Sequence, residues 1–145
     1  MPDKPNILFI CTGNACRSQI AEAWTNHLKH NVLQAFSAGI RPIGVSSRAI
    51  QTMAEVGIDM SDHTSKHIDE LQAIDLTYVV TLSDFAKNFC PAFPPPAKVF
   101  HKPIRDPYGV SGSEEHIKAV FRAVRDEIRD FVRKMPRNLT GETHS

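Results

Sequence analysis

The sequence predicts an α/β domain with three layers, α/β/α, built on a four-stranded parallel sheet. Two observations predict it. Short apolar, β-branched runs alternate with helical periods along the chain, and the most apolar of those runs ends abruptly in a small polar turn that opens a helix. Alternation of this kind implies right-handed strand-helix-strand units, because parallel neighbours need a crossover between them. A chain of 145 residues with 41% apolar content supports one core and is short for two. The domain is therefore expected over residues 1–137, with a flexible polar tail at 138–145.

Taken in order, Ile7-Leu8-Phe9-Ile10 reads as a strand buried on both faces. A helical period takes over at Ser18, with Ile20, Trp24 and Leu28 on one stripe and Ala21 beside them. A second strand is expected over residues 32–37. It ends in Ala38-Gly39, where the absence of a side chain lets the backbone pass near the first turn. Residues 46–56 place Ile50, Met53, Ala54 and Val56 near helical spacing, with Ser46 or Ser47 as the N-cap and Gly57 as the stop. A short helical piece at 65–71 leads to a third strand at 76–82, whose β-branched content suits the middle of a parallel sheet. A proline-dominated stretch at 89–96 precedes a brief edge strand at 99–101 and a long loop at 102–112. Ser111-x-x-Glu114 reads as a capping box for the last helix, whose stripe is Ile117, Val120, Phe121, Val124, Ile128 and Phe131.

The chemistry concentrates in the first turn, Cys11-Thr12-Gly13-Asn14-Ala15-Cys16-Arg17-Ser18. Backbone N–H groups in a tight turn that opens a helix lack intrahelical partners and converge where the helix dipole adds positive potential, so this turn is expected to bind an oxyanion. Arg17 can grip two oxygens of a tetrahedral anion with its planar guanidinium. The same field favours thiolate over thiol at Cys11, which makes it the candidate nucleophile beneath the bound anion. Gly13 and Asn14 stand where positive φ is easiest. Asp106-Pro107 falls in the long loop at the carboxyl ends of the strands, where ligands of open parallel sheets bind. Pro107 biases Asp106 toward an extended backbone that aims its carboxyl over the anion, as an acid for a leaving oxygen.

Charge and composition narrow the alternatives. The net charge is +1 with acids and bases interspersed, so no basic face for nucleic acid and no polybasic membrane segment is present. Four apolar residues in a row near the start are too few for a signal peptide or a span, and a cytoplasmic location is expected. Three cysteines in such a chain point to reactive thiols rather than a disulfide framework. His63 and His67 are four apart, but no third ligand lies near them in sequence, and no metal is expected.

The segment Cys11-Thr-Gly-Asn-Ala-Cys-Arg-Ser-Gln-Ile-Ala-Glu-Ala-Trp24 closely resembles the P-loop of the low-molecular-weight protein tyrosine phosphatase superfamily, particularly its arsenate reductase branch. Ser37-Ala-Gly-Ile40, Gly57-Ile-Asp-Met-Ser61, the strand Tyr78-Val-Val-Thr-Leu82 and Asp106-Pro107 are similar to family landmarks in the family's order. The resemblance implies reduction of arsenate to arsenite, with hydrolysis of phosphomonoesters through a phosphocysteine as the alternative. It implies that Ser37 packs against Asn14 to steady the P-loop. It also implies an external thiol reductant, thioredoxin or glutathione with glutaredoxin, and no bound cofactor.

The cysteines separate the two activities. A phosphatase needs only Cys11, whereas a reductase needs a second thiol to attack the sulfur of the arsenic adduct. Thioredoxin-coupled reductases carry two cysteines after the third strand, with six residues between them, and the matching positions here are Ser83 and Cys90. Residues 83–91 are expected to form a segment that can move toward Cys11. The remaining candidates for the resolving role are therefore Cys90, Cys16 inside the P-loop, or an outside thiol. Tyr108 beside Asp106 resembles the phosphatases, where an aromatic walls the substrate ring. Lys66 stands where some reductases have an Asp that helps bind potassium, and its ammonium is expected to take the cation's place.

Overall fold

The structure is a computed structural model and describes residues 4–139. Four strands, β1 (Asn6–Cys11), β2 (Gln34–Gly39), β3 (Tyr78–Thr81) and β4 (Lys98–His101), form one sheet in the order β2-β1-β3-β4. All three pairings are parallel. The order reverses at β1, so the end of β1 is the switch point at which open sheets of this kind bind ligands.

Alternation along β1 builds the two outer layers. Ile7, Phe9 and Cys11 point into a core shared with α1 (Arg17–Leu28), α2 (Ser47–Ala54) and α4 (Glu114–Arg133), where Ile20, Trp24, Met53, Phe121, Val124 and Ile128 are buried. Leu8 and Ile10 point the other way, against Ile68 and Leu71 of a 3-10 turn and Ala86 of α3 (Asp84–Phe89). Trp24 Nε1 donates to the Arg125 carbonyl at 3.0 Å, which fixes α1 against α4 with the indole polar group satisfied.

The C-terminal end of α2 is joined by charge to the middle of α4. Glu55, at the C-cap of α2, accepts from Arg122 Nε at 2.9 Å and Nη2 at 2.8 Å and from Arg125 Nη1 at 3.0 Å. These guanidinium groups, Arg122 first, hold its carboxyl at about 2, below the ordinary 4.5. A carboxyl lowered by folding contributes fully above its ordinary value and loses that contribution as pH falls through the lowered one. Stability is therefore expected to decline from about pH 4.5 toward 2, and E55Q to flatten that part of the curve in urea melts. An E55Q curve with the wild-type slope would contradict this.

Three local readings are corrected. Within the segment 83–91, for which no helix was expected, residues 84–89 form α3, with the Ser83 hydroxyl accepting from Ala86 N–H at 3.0 Å. The cap of α4 is Ser113, accepting from His116 N–H at 3.1 Å, which places Glu114 and Glu115 in the first turn; Ser111 lies outside the helix. Val32 is 46% exposed and β2 begins at Gln34. At the carboxyl terminus, Leu139 is buried in a 3-10 turn at Arg137–Leu139, so ordered packing continues past residue 137. The rest of the expected tail, 140–145, lies outside the described residues. Among the described residues no helix is long and apolar enough to cross a membrane.

Candidate active site

The turn between β1 and α1 turns its carbonyls outward. The Thr12 carbonyl accepts from Arg41 N–H at 2.8 Å, that of Gly13 from Ile43 N–H at 3.1 Å, that of Ala15 from Ser46 N–H at 2.9 Å and that of Cys16 from Ile20 N–H at 2.8 Å. The Asn14 carbonyl accepts from Gln19 Nε2 at 3.1 Å. All five acceptors of residues 12–16 are thus satisfied, whereas their N–H groups donate to no other described residue. Such a row of free donors at a helix start is an anion nest.

Cys11 and Arg17 complete it. Cys11 is buried, and its Sγ lies 2.8 Å from Ser18 Oγ. Arg17 is buried too: its Nη1 donates to the Ile104 carbonyl at 3.1 Å and the Leu82 carbonyl at 3.5 Å, and its Nη2 lies 3.4 Å from Asp106 Oδ2. Asp106 is half-exposed, and its other oxygen accepts from Tyr108 N–H at 2.9 Å across Pro107. These residues, with Arg41, Ile43 and Tyr108, line a cavity of about 240 Å³ over the Cys11 thiol. The candidate nucleophile, anion cradle and candidate acid share one small space, the geometry that displacement at a tetrahedral oxyanion requires.

Residues 6–145 match the sequence profile of the low molecular weight phosphotyrosine protein phosphatases. The chain belongs to that family. It is 46% identical over 130 residues to arsenate reductase 2 of Staphylococcus haemolyticus, covering 90% of this chain and 95% of that one. A solved arsenate reductase in its phosphate-binding state aligns with a TM-score of 0.75 at 30% identity, covering 94% of this chain and 99% of the other. A low molecular weight protein tyrosine phosphatase from T. tengcongensis aligns with a TM-score of 0.77 at 26% identity, covering 93% and 99%.

Within this family member the expected residues do not all converge. Cys11, Thr12, Gly13, Ala15, Cys16, Arg17 and Asp106 line the cavity, and Tyr108 stands at its mouth, 61% exposed. Asn14 and Ser18 lie behind it, with Asn14 Nδ2 donating to Ser18 Oγ at 2.8 Å. The Ser37 hydroxyl, expected against Asn14, donates instead to Glu22 Oε1. Asn14 is held by Ser18, Gln19 and the Lys66 N–H. What β2 presses on the P-loop is Gly39: a Cβ there would lie 2.7 Å from Asn14 N and 2.9 Å from Gly13 C. G39A is expected to cost about 2–4 kcal/mol in chemical denaturation, because backbone on both sides cannot yield. A cost below about 1 kcal/mol would show that the two segments part easily.

The thiols are divided between the layers. Cys16 shares the cavity and its layer with Cys11, while Cys90 packs against the layer of Leu8 and Ile10 on the opposite face of the sheet. Burial pushes the Cys16 thiol far above the ordinary 9.0, helped by the negative charges of Cys11 and Asp106. Burial raises Cys90 as well. Both are therefore thiols at neutral pH. Ser83, where the family resemblance implies a cysteine, is beside the P-loop: its hydroxyl accepts from Thr12 Oγ1 at 3.1 Å.

The Lys66 ammonium donates to the Thr64 carbonyl at 2.9 Å. His67 caps the 3-10 turn Ile68–Leu71, accepting from Asp69 N–H at 3.0 Å, and His63 contacts Gln19. Among the described residues no three of His, Cys, Asp and Glu cluster as metal ligands. Gln19 and Arg41 were not legible as site residues. Gln19 is a fully buried amide on a helix whose apolar stripe gives no reason to single it out.

Proposed function

We propose that this chain reduces arsenate to arsenite in the cytoplasm, using Cys11 as nucleophile. The observation that carries the reading is the nest of free N–H groups at residues 12–16, closed by the anchored Arg17 guanidinium, directly above a buried thiol. Close similarity to arsenate reductases over most of the chain supports arsenate as the anion.

In the first step the Cys11 thiolate attacks arsenic, an As–O bond breaks, and Asp106 protonates the departing oxygen, which leaves as water. A second thiol, giving up its proton to solvent as it does so, then attacks the Cys11 sulfur. The S–As bonding pair stays on arsenic, which leaves as arsenite, and the two sulfurs are joined as a disulfide. Reduction of that disulfide by thioredoxin, or by glutathione with glutaredoxin, restores Cys11. Cys16 can resolve the adduct from within the cavity, Cys90 only after α3 and the chain beyond it shift around the sheet, and an outside thiol through the cavity mouth.

Two observations favour the phosphatase reading: position 83, against Thr12, holds a hydroxyl that cannot form a disulfide, and Tyr108 lines the cavity beside Asp106. One experiment separates the two. The protein is incubated with arsenate and either the thioredoxin or the glutathione system, arsenite is quantified, and disulfides are mapped by mass spectrometry. Arsenite release with a disulfide that includes Cys11 is expected. Rapid turnover of para-nitrophenyl phosphate with no arsenite from either system would establish the phosphatase.

A further inference from the structure

We propose that Arg41 is a second anion-binding residue, whose guanidinium leaves a resting place on the Phe85 ring to meet a doubly charged oxyanion in the cavity. The proposal rests on the cavity as the oxyanion site and is the same for either reaction.

Charge in the cavity does not balance without it. Among the described residues that line this space the cations are Arg17 and Arg41, and the groups that carry negative charge are Asp106 and the Cys11 thiolate. Cys16 stays a thiol. The Arg17 guanidinium already faces a carboxylate, with Nη2 3.4 Å from Asp106 Oδ2. Arg41 aside, the cavity is therefore net negative once Cys11 is ionised, and no better than neutral once Asp106 is protonated as the acid. An arsenate or phosphate dianion then brings two more negative charges into a space of about 240 Å³ beside the thiolate, where like charges repel strongly. The N–H groups of residues 12–16 offer dipoles and no net charge. A second cation is what the site lacks, and Arg41 stands on its wall.

Arg41 is mounted to supply it. Its backbone N–H donates to the Thr12 carbonyl at 2.8 Å, and Ile43 N–H donates to the Gly13 carbonyl at 3.1 Å. The Arg41 backbone is thus fixed to the anion cradle itself, and its side chain can change place without moving the loop. Among the described residues the guanidinium meets no carboxylate and no carbonyl; its central carbon lies 5.1 Å from the centre of the Phe85 ring. Phe85 is in the first turn of α3, whose cap Ser83 accepts from Thr12 Oγ1 at 3.1 Å, so ring and arginine flank the same P-loop residue. Phe89 packs on that ring with centres 4.6 Å apart, which steadies it.

The ring holds a cation only weakly. While Arg41 rests there it is unavailable to the anion, and the apparent affinity is lowered by the fraction of molecules in which it has let go. Phe85 and the oxyanion therefore compete for one guanidinium, and removing each partner has an opposite effect on binding.

The test measures inorganic phosphate binding by calorimetry at pH 8, where phosphate is a dianion, for the wild type, R41M, R41K, F85L and the double variant R41M/F85L, with thermal melts alongside. R41M is expected to bind about 5- to 30-fold more weakly, and R41K to regain part of the loss through its charge. F85L keeps an apolar side chain without a π face; it is expected to bind about 2- to 5-fold more tightly than the wild type, and to change nothing when Arg41 is already Met. R41M affinity within about twofold of wild type, F85L affinity no tighter than wild type, or equal tightening with and without Arg41 overturns the proposal. None of these measurements involves arsenite, so the role of Arg41 can fail while the reductase reading stands, and the reverse.

Discussion

Replacing Cys11 by Ser is expected to lower arsenite formation by about 10⁴-fold or more while shifting the melting temperature by no more than about 2 °C. The side chain is buried, with one polar neighbour, Ser18 Oγ at 2.8 Å, and a hydroxyl can make the same contact. Packing around position 11 is thus retained. The chemistry is not: a serine hydroxyl stays protonated at neutral pH, and an oxygen–arsenic bond offers no sulfur for the second thiol to attack. Phosphate should still bind, since the N–H groups of residues 12–16 are backbone. Arsenite formation within about tenfold of wild type would place the nucleophile elsewhere in the chain.

Arg17→Lys is the second large effect. The guanidinium ties together the ends of three chain segments, through the carbonyls of Leu82 and Ile104 and the carboxyl of Asp106, while facing the cavity. A single ammonium on a flexible stem cannot reach both carbonyls and still present paired donors to a tetrahedral anion. One buried carbonyl left unpaired costs about 1–3 kcal/mol, and loss of the aligned charge weakens the transition state further. Phosphate affinity measured by calorimetry is expected to fall about 100-fold or more, and kcat/KM for arsenate about 1000-fold. Affinity within about threefold of wild type would mean that the backbone nest binds the anion without Arg17.

What could be read in the sequence is what local chemistry determines. The turn from Cys11 to Ser18 is legible because strand end, small turn residues and helix start occur within a dozen positions, and β1 because its four apolar residues serve both faces of the sheet. α3 was not, since six residues are too few to show a period, and its cap Ser83 is hard to tell from any other loop serine. Ser111 and Ser113 both suit a cap, and only the backbone path through Gly112, with φ of 128°, decides between them. Ser37 faces Glu22 rather than Asn14 because α1 brings that carboxylate alongside β2, a tertiary fact with no local trace. The contact between Gln19 and His63 is of the same kind. Gln19 and His63 are 44 positions apart and meet only because the chain after α2 returns to the back of the P-loop.

The central claim is that an anion nest lies over a reactive sulfur, and competitive alkylation tests it most directly. The native protein is treated with iodoacetamide at pH 7, and labelling of Cys11, Cys16 and Cys90 is followed by mass spectrometry with phosphate, arsenate or neither. Cys11 should be labelled first, ahead of the two thiols whose ionisation burial opposes, and either anion should slow its labelling selectively. Labelling of Cys11 no faster than Cys90, at a rate that neither anion changes, would contradict the account.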